Sequence, residues 1–456
     1  MSDCTEKSLI FYLVQRIPRF SRTAFNISKY FSSGKSTIAG HLIYKCGSID
    51  KQKNQTFESE DGKFQKESFN YAWLFDRSTS EREIGYTIDA SLESFESAKF
   101  KFNIIDTPGR REFIKKMISR TSQADVGLLV VDASKGKNGS DIDCSKQTRE
   151  HGLLAYMLGV KQMVVLINKM DDDSVIFSED RWKLIRSEIA TYLKKIGYKP
   201  MKIPFIPVSG LLGDNLSSKS MNMQWYGGQT LLEALNNVPT PKRPTNKPLR
   251  VPIQEVRIKE GIGVILVGRI ESGLLKVGAN VQFAPGGVRG IVERIEINFQ
   301  IVSRAIPGEI ASIVVKGISN IDLKNIRSGS VLSNCENYPT QEISTFKAQL
   351  VIINHPGKIF KGYSPILHCH TAHTPCTFLN IEEKLDQRTG KSVTRNPDSV
   401  QTGDVCIATI ETKTPICIEQ FKDYPRLGRF AVRDLEQTVA AGVVKTLIRP
   451  DIEDVL

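Results

Sequence analysis

"KYFSSGKST", residues 29–37, is the second half of a phosphate-binding loop joined to a first half of different composition. The P-loop pattern is G-x-x-x-x-G-K-[ST]. Its glycines let backbone N–H groups approach phosphate, its lysine reaches the β- and γ-phosphates, and its hydroxyl meets Mg²⁺. Gly34, Lys35 and Ser36 satisfy the second half, and the first glycine is replaced by Lys29. Ser36 opens a helical pattern whose N-terminal dipole favours anions. The candidate phosphate-binding residues here are Ser32, Ser33, Gly34, Lys35, Ser36 and Thr37.

Working outward, "KFNIID" (101–106), "VGLLVVD" (126–132), "QMVVLIN" (162–168) and "IPFIPVS" (203–209) are Val- and Ile-rich runs separated by helical patterns. That alternation predicts a parallel sheet covered by helices on both faces, with its ligand beyond the carboxyl ends of the strands. Three further motifs fall at such ends. "IGYTID" (84–89) offers Thr87 to a metal ion and the γ-phosphate. "DTPG" (106–109) offers Asp106 to Mg²⁺ through water and the Gly109 N–H to the γ-phosphate. "NKMD" (168–171) supplies Asn168, Lys169 and Asp171. The Asp171 carboxylate can accept two hydrogen bonds from the N1–H and 2-amino group of guanine, donors that adenine does not present in that arrangement. "VSG" (208–210) adds Ser209 and Gly210, whose N–H groups can meet the guanine oxygen. Any one motif is weak; the four in order predict a domain that binds GTP or GDP with Mg²⁺.

The rest of the chain is of another kind. "VPTPKRPTNKP" (238–248) is a proline-rich linker, and β-branched runs punctuated by Gly and Pro follow it. The expected fold class is an α/β P-loop GTPase domain followed by two all-β barrel domains. The expected division is a divergent segment 1–32, a GTP-binding domain 33–238, a linker 239–248, barrels 249–335 and 340–448, and a tail 449–456. Residues 1–32 read either as an altered first strand, a gene-boundary artefact or a targeting segment. "TAFNIS" (23–28) stands where a strand should precede the loop, but Thr23, Asn26 and Ser28 interrupt it. "LIFYLV" (9–14) suits a strand or an artefact better than a membrane contact. No run approaches the roughly 20 apolar residues of a membrane helix. Eight cysteines without a C-x-x-C pair read as reduced thiols, and the net charge of +12 favours a polyanionic partner such as RNA.

"AGHLIYKCGSIDK", "EREIGYTIDASL", "IIDTPGRREFIKKMI", "QTREHGLLAYMLGVKQMVVLINKMD", "INHPGKIFKGYSPILHCHTAHTPC" and "DYPRLGRFAVRDLEQTVAAGVVK" resemble eukaryotic translation elongation factor 1-alpha. The resemblance spans about residues 33–447. It implies a cytoplasmic, monomeric GTPase that delivers aminoacyl-tRNA to the ribosome and is recharged by a guanine nucleotide exchange factor. A pseudo-GTPase that binds RNA or protein through its barrels, a release- or rescue-type translational GTPase, and the large subunit of sulfate adenylyltransferase are the alternatives.

Three departures from the family pattern stand out. Lys29 replaces the loop glycine and Ser32 replaces an aspartate. Arg110 follows the DTPG glycine where the family has the histidine that orients the attacking water. The six histidines, at 41, 151, 355, 368, 370 and 373, lie elsewhere. Ile84 and Tyr86 replace an arginine and an isoleucine before Thr87. Weakened phosphate binding and slowed hydrolysis are therefore expected. "HCHTAHTPC" (368–376) invites a zinc reading, but strand packing is the expectation, with Cys369 and His370 alternating between faces. Asp172 and Asp173 are expected in a solvated loop.

Overall fold

The computed structural model describes residues 6–12, 33–46, 71, 91–97, 99–106, 114–121, 124–134, 146–241, 243–259, 263–297, 300–387, 389–434 and 437–449. The chain divides into two compact units at the Pro-rich linker, with Pro241 ending the first stretch and Lys242 opening the second.

Among the described residues the first unit is built on six strands: β1 (Glu6–Tyr12), β2 (Ser91–Glu96), β3 (Lys101–Asp106), β4 (Val126–Asp132), β5 (Gln162–Asn168) and β6 (Phe205–Pro207). Their order across the sheet is β2-β3-β1-β4-β5-β6, with β2 antiparallel to β3 and the other pairings parallel. Three of the four runs read from sequence coincide with β3, β4 and β5, because strands covered on both faces need near-continuous apolar residues, and the fourth, 203–209, contains the three-residue β6. The central strand comes from "EKSLIFY", so the sheet begins well before residue 33, the expected edge of the domain. "TAFNIS" lies outside the described residues. Residues 13–33 separate the end of β1 from Gly34, where a compact P-loop needs only a few.

Helix α1 (Lys35–Lys45) turns Ile38, Ala39, Leu42 and Ile43 into a core shared with Phe102 and Ile104 of β3, Val126, Leu128 and Val130 of β4, and Val164 and Leu166 of β5. Helices α2 (Ile114–Thr121) and α3 (Lys146–Met157) connect the strands between. Helix α4 (Glu179–Ile196) is punctuated at both ends. Ser178 accepts from the Arg181 N–H, Glu179 and Asp180 complement the N-terminal dipole, and Gly197 at φ 116° closes the other end. Helix α5 (Leu231–Asn237) starts with a reciprocal capping box between Thr230 and Glu233.

The second unit holds two barrels. Strands β7 (Val251–Lys259), β8 (Gly263–Arg269), β9 (Asn280–Ala284), β10 (Val288–Ile297), β11 (Ile310–Lys316) and β12 (Val331–Asn334) close in the order β9-β12-β7-β8-β11-β10, returning to β9. Strands β13 (Ile343–Ile352), β14 (Ile366–Cys369), β15 (Ala372–Leu385), β16 (Val405–Ile416), β17 (Arg429–Asp434) and β18 (Gln437–Ile448) close in the order β14-β17-β18-β13-β16-β15, returning to β14. Closure removes the edges that open antiparallel sheets expose. An ion pair joins the two barrels: Arg250 Nε lies 2.7 Å from Glu419 Oε1, and the guanidinium stands 4.9 Å above the Tyr424 ring.

"HCHTAHTPC" forms a hairpin. Its strand alternation stops at His370, which sits in the turn at φ 42°, so Cys369 and His370 do not take opposite faces of one strand as expected. Both are buried. His370 donates from Nε2 to the Cys417 carbonyl (2.7 Å) and accepts at Nδ1 from the Thr371 N–H (2.7 Å).

Candidate functional site

Parallel pairing brings the carboxyl ends of the strands into one row. Asp106 ends β3 in register with Phe11 of β1, and Asp132 ends β4 in register with Asn168 at the end of β5. Chain order reverses about β1, since β2 and β3 lie on one side and β4 to β6 on the other. In open α/β sheets such a reversal opens a crevice for ligand.

Gly34 caps α1 at φ 79°, ψ 25°, a left-handed conformation that favours glycine. A Cβ there would also lie 2.4 Å from the Asn168 amide nitrogen. The turn places Lys35 and Ser36 against the end of β3. Lys35 pairs through Nζ with Asp106 Oδ1, both side chains almost wholly buried, and Ser36 Oγ donates to Asp106 Oδ2 at 2.7 Å. Ser33 Oγ is buried and has no hydrogen-bond partner among the described residues. Thr37 is half-buried in the first turn of α1.

Asn168 holds two loops together. Its Nδ2 donates to the Ser33 carbonyl at 2.6 Å, and its Oδ1 accepts from the Gly210 N–H at 2.8 Å. One buried side chain thereby ties the phosphate loop to the "VSG" loop after β6. Lys169, at φ 62°, extends along the row to Asp132 Oδ2 at 2.7 Å. Asp132 is fixed in turn by the N–H and hydroxyl of Ser134, at 2.9 and 2.7 Å. The Asp171 carboxylate is half-buried and takes no hydrogen bond from the described residues. Asp172 accepts from the Ser174 N–H at 2.9 Å, a local turn bond, while Asp173 is exposed. Ser209 is fully buried, and its hydroxyl accepts from the Leu212 N–H at 3.0 Å.

The structure therefore gathers Ser33, Gly34, Lys35, Ser36, Asp106, Asn168, Lys169, Ser209 and Gly210 into one region. Ser32, Thr87, Gly109 and Arg110 lie outside the described residues, as does Lys29.

Two participants escaped the sequence reading. Asp132 had a signal, an acid at the end of an apolar run, but its bond to Lys169 required the β4–β5 register. His41 had none. It lies inside α1, where its Nδ1–H donates to the Gly210 carbonyl at 2.9 Å and its ring stacks on Tyr71 at 4.2 Å. Burial lowers its pKa from the usual 6.5, opposed by that carbonyl bond.

The donor set has a definite chemistry. A hydroxyl and a carboxylate converging beside a lysine, with an orphaned buried hydroxyl two residues before that lysine, suit a hard divalent cation and the phosphate oxygens it accompanies. A nucleotide domain of this topology, carried ahead of two six-strand barrels, is the architecture of the translational GTPases. Residues 27–240 match the Elongation factor Tu GTP binding domain, 263–333 match Elongation factor Tu domain 2, and 345–445 match the GTP-eEF1A C-terminal domain-like family. Elongation factor 1-alpha of Tetrahymena pyriformis is 49% identical over 92% of this chain and 96% of its own length. That of Euglena gracilis is 48% identical over 92% and 93%. The GTP-bound Ski7 GTPase-like domain of S. cerevisiae shares the fold, with a TM-score of 0.75 at 19% identity, covering 97% of each chain. The chain belongs to the elongation factor 1-alpha family. It is a GTP-binding elongation factor with the GTPase domain of that class.

Proposed function

We propose that the protein carries aminoacyl-tRNA to the ribosome as a GTP complex and releases it when GTP is hydrolysed. The observation that supports this most directly is the Asn168 bridge from Ser33 to Gly210, which couples the phosphate loop to the loop assigned to the base. Lys35 holds the β- and γ-phosphates, with Ser32, Ser33, Gly34, Thr37 and the Gly109 N–H around them. Ser36, Thr87 and, through water, Asp106 would hold Mg²⁺, which when bound would supply positive charge against the negative charge that develops on the transferring phosphoryl group. Asp171 accepts the guanine N1–H and 2-amino group, Asn168 and Lys169 support it, and the Ser209 and Gly210 N–H groups meet the guanine oxygen.

Arg110 takes the place of the water-orienting histidine. A guanidinium stays protonated and cannot accept a proton from water, so hydrolysis on the ribosome proceeds slowly. The basic surface serves tRNA phosphates through salt-dependent contacts. The protein works in the cytoplasm as a monomer and depends on a guanine nucleotide exchange factor. Protection of aminoacyl-tRNA from spontaneous deacylation, measured with GTP and with GDP, tests the reading. Protection by the GTP form alone is expected, and equal behaviour of the two forms would refute it.

A further inference from the structure

The loop between β5 and α4 carries two consecutive non-glycine residues in the left-handed region, Ile176 at φ 48° and Phe177 at φ 53°. A β-branched residue is a true outlier there, and such strain persists only where surroundings over-determine it. Ile176 has no compensating burial, being 74% exposed. What the conformation achieves is closure. The Phe177 N–H returns to the Met170 carbonyl at 2.8 Å, and the Val175 and Ile176 N–H groups both reach the Asp172 carbonyl, at 2.7 and 2.9 Å. Asp171 thereby lies within a loop closed between its neighbour Met170 and Phe177, with a tighter turn starting at Asp172 inside it.

The loop is pinned from outside. Trp225 Nε1 donates to the Phe177 carbonyl at 3.0 Å. Its indole lies in an aromatic cluster with Trp182, ring centroids 5.5 Å apart, and Tyr226, at 6.2 Å, but its position is set by the hydrogen bond to Phe177. The base of the loop is fixed at Met170, which is fully buried and donates from its N–H to the Val208 carbonyl at 3.3 Å. A residue far along the sequence, in "MNMQWYGG", therefore fastens the strained end of the loop that presents Asp171.

We propose that Trp225 is a positioning residue for base recognition, acting through Phe177 and Met170 to hold the Asp171 carboxylate where it accepts both guanine donors. The inference rests on the assignment of Asp171 to guanine. Trp225 does not touch the base. Its indole N–H selects among purine nucleotides by keeping a two-point acceptor in register, so losing it harms a ligand that uses both points more than a ligand that uses one.

The test compares GTP with ITP, whose base keeps N1–H but lacks the 2-amino group, on the full-length protein by equilibrium titration. Trp225→Phe keeps an aromatic ring and removes the N–H. It is expected to weaken GTP about three- to tenfold, the worth of one hydrogen bond, and to bring the GTP/ITP affinity ratio toward one. Trp182→Phe is the control, because the Trp182 indole nitrogen is buried with no hydrogen-bond partner among the described residues. It is expected to leave the ratio unchanged while altering the same aromatic cluster. Equal weakening of GTP and ITP by Trp225→Phe, or equal ratios for the two tryptophan variants, would overturn the proposal. Asp171→Asn separates the underlying assignment: preference shifting from GTP to XTP upholds it. If that shift occurs while Trp225→Phe keeps a wild-type ratio, only the role of Trp225 fails. If Asp171→Asn leaves guanine preference intact, the assignment itself fails and the proposal with it.

Discussion

Asn168 and Ser33, 135 positions apart in sequence, are joined by a 2.6 Å bond from a side-chain amide to a backbone carbonyl. The same side chain accepts from Gly210. A buried polar group with both ends satisfied stabilises modestly, but removing it leaves two backbone groups unpaired. Asn168→Ala is therefore expected to cost about 2–4 kcal/mol of stability. A larger loss should appear in nucleotide affinity than Thr37→Ala produces. Urea unfolding and nucleotide titration of the two variants measure this, and equal effects would contradict the bridging role.

Lys35 and Asp106 form a buried pair, so neither charge tolerates loss of the other. Lys35→Ala is expected to destabilise by about 3–5 kcal/mol, because Asp106 is left charged and without its cation. The double variant Lys35→Ala/Asp106→Asn should recover part of that stability without recovering nucleotide binding. A double variant as unstable as the sum of its singles would show that the pair is not the source of the cost.

Arg110→His places a neutral imidazole where the family has one. Single-turnover GTP cleavage on ribosomes should rise by at least about tenfold, below the ceiling of about 10²–10⁴ that a positioned acid or base can supply. An unchanged rate would mean that Arg110 does not limit turnover.

His370 gives the stability a pH dependence of known sign. Burial lowers its pKa from 6.5 to about 4, against the opposing bond to the Cys417 carbonyl. The unfolded chain then binds more protons between those values, so stability falls as pH drops from about 6.5 to 4 and is fully retained above 6.5. The gap corresponds to ~3 kcal/mol at 1.36 kcal/mol per pH unit. Chemical denaturation across pH 4–7 should show this slope in the wild type. His370→Gln should flatten it, and an identical slope would assign it to other groups.

Much of this was legible in the chain itself. The runs ending at Asp106, Asp132 and Asn168 coincide with strands because a strand buried on both faces must be apolar throughout, which leaves a plain mark in sequence. The linker and the barrels were marked by proline density and by short β-branched runs. The central strand was harder to find. "EKSLIFY" has the right composition, but residues 13–33 separate it from the loop it normally abuts, and adjacency was the cue. The hairpin at His370 was missed because a two-residue turn without glycine resembles continued alternation.

The sequence by itself marked the candidate site residues, since Lys35, Ser36, Asp106, Asn168 and Asp171 are recognisable from local spacing alone. Only the tertiary structure decided which of them meet. The Lys169–Asp132 bond depends on the β4–β5 register, the His41–Gly210 bond on the packing of α1, and the Trp225–Phe177 bond on a loop folding back onto the end of β5. Each contact joins residues distant in the chain through backbone carbonyls or strand pairing. Side-chain identity encodes local conformation and burial; register and closure arise only when the elements pack.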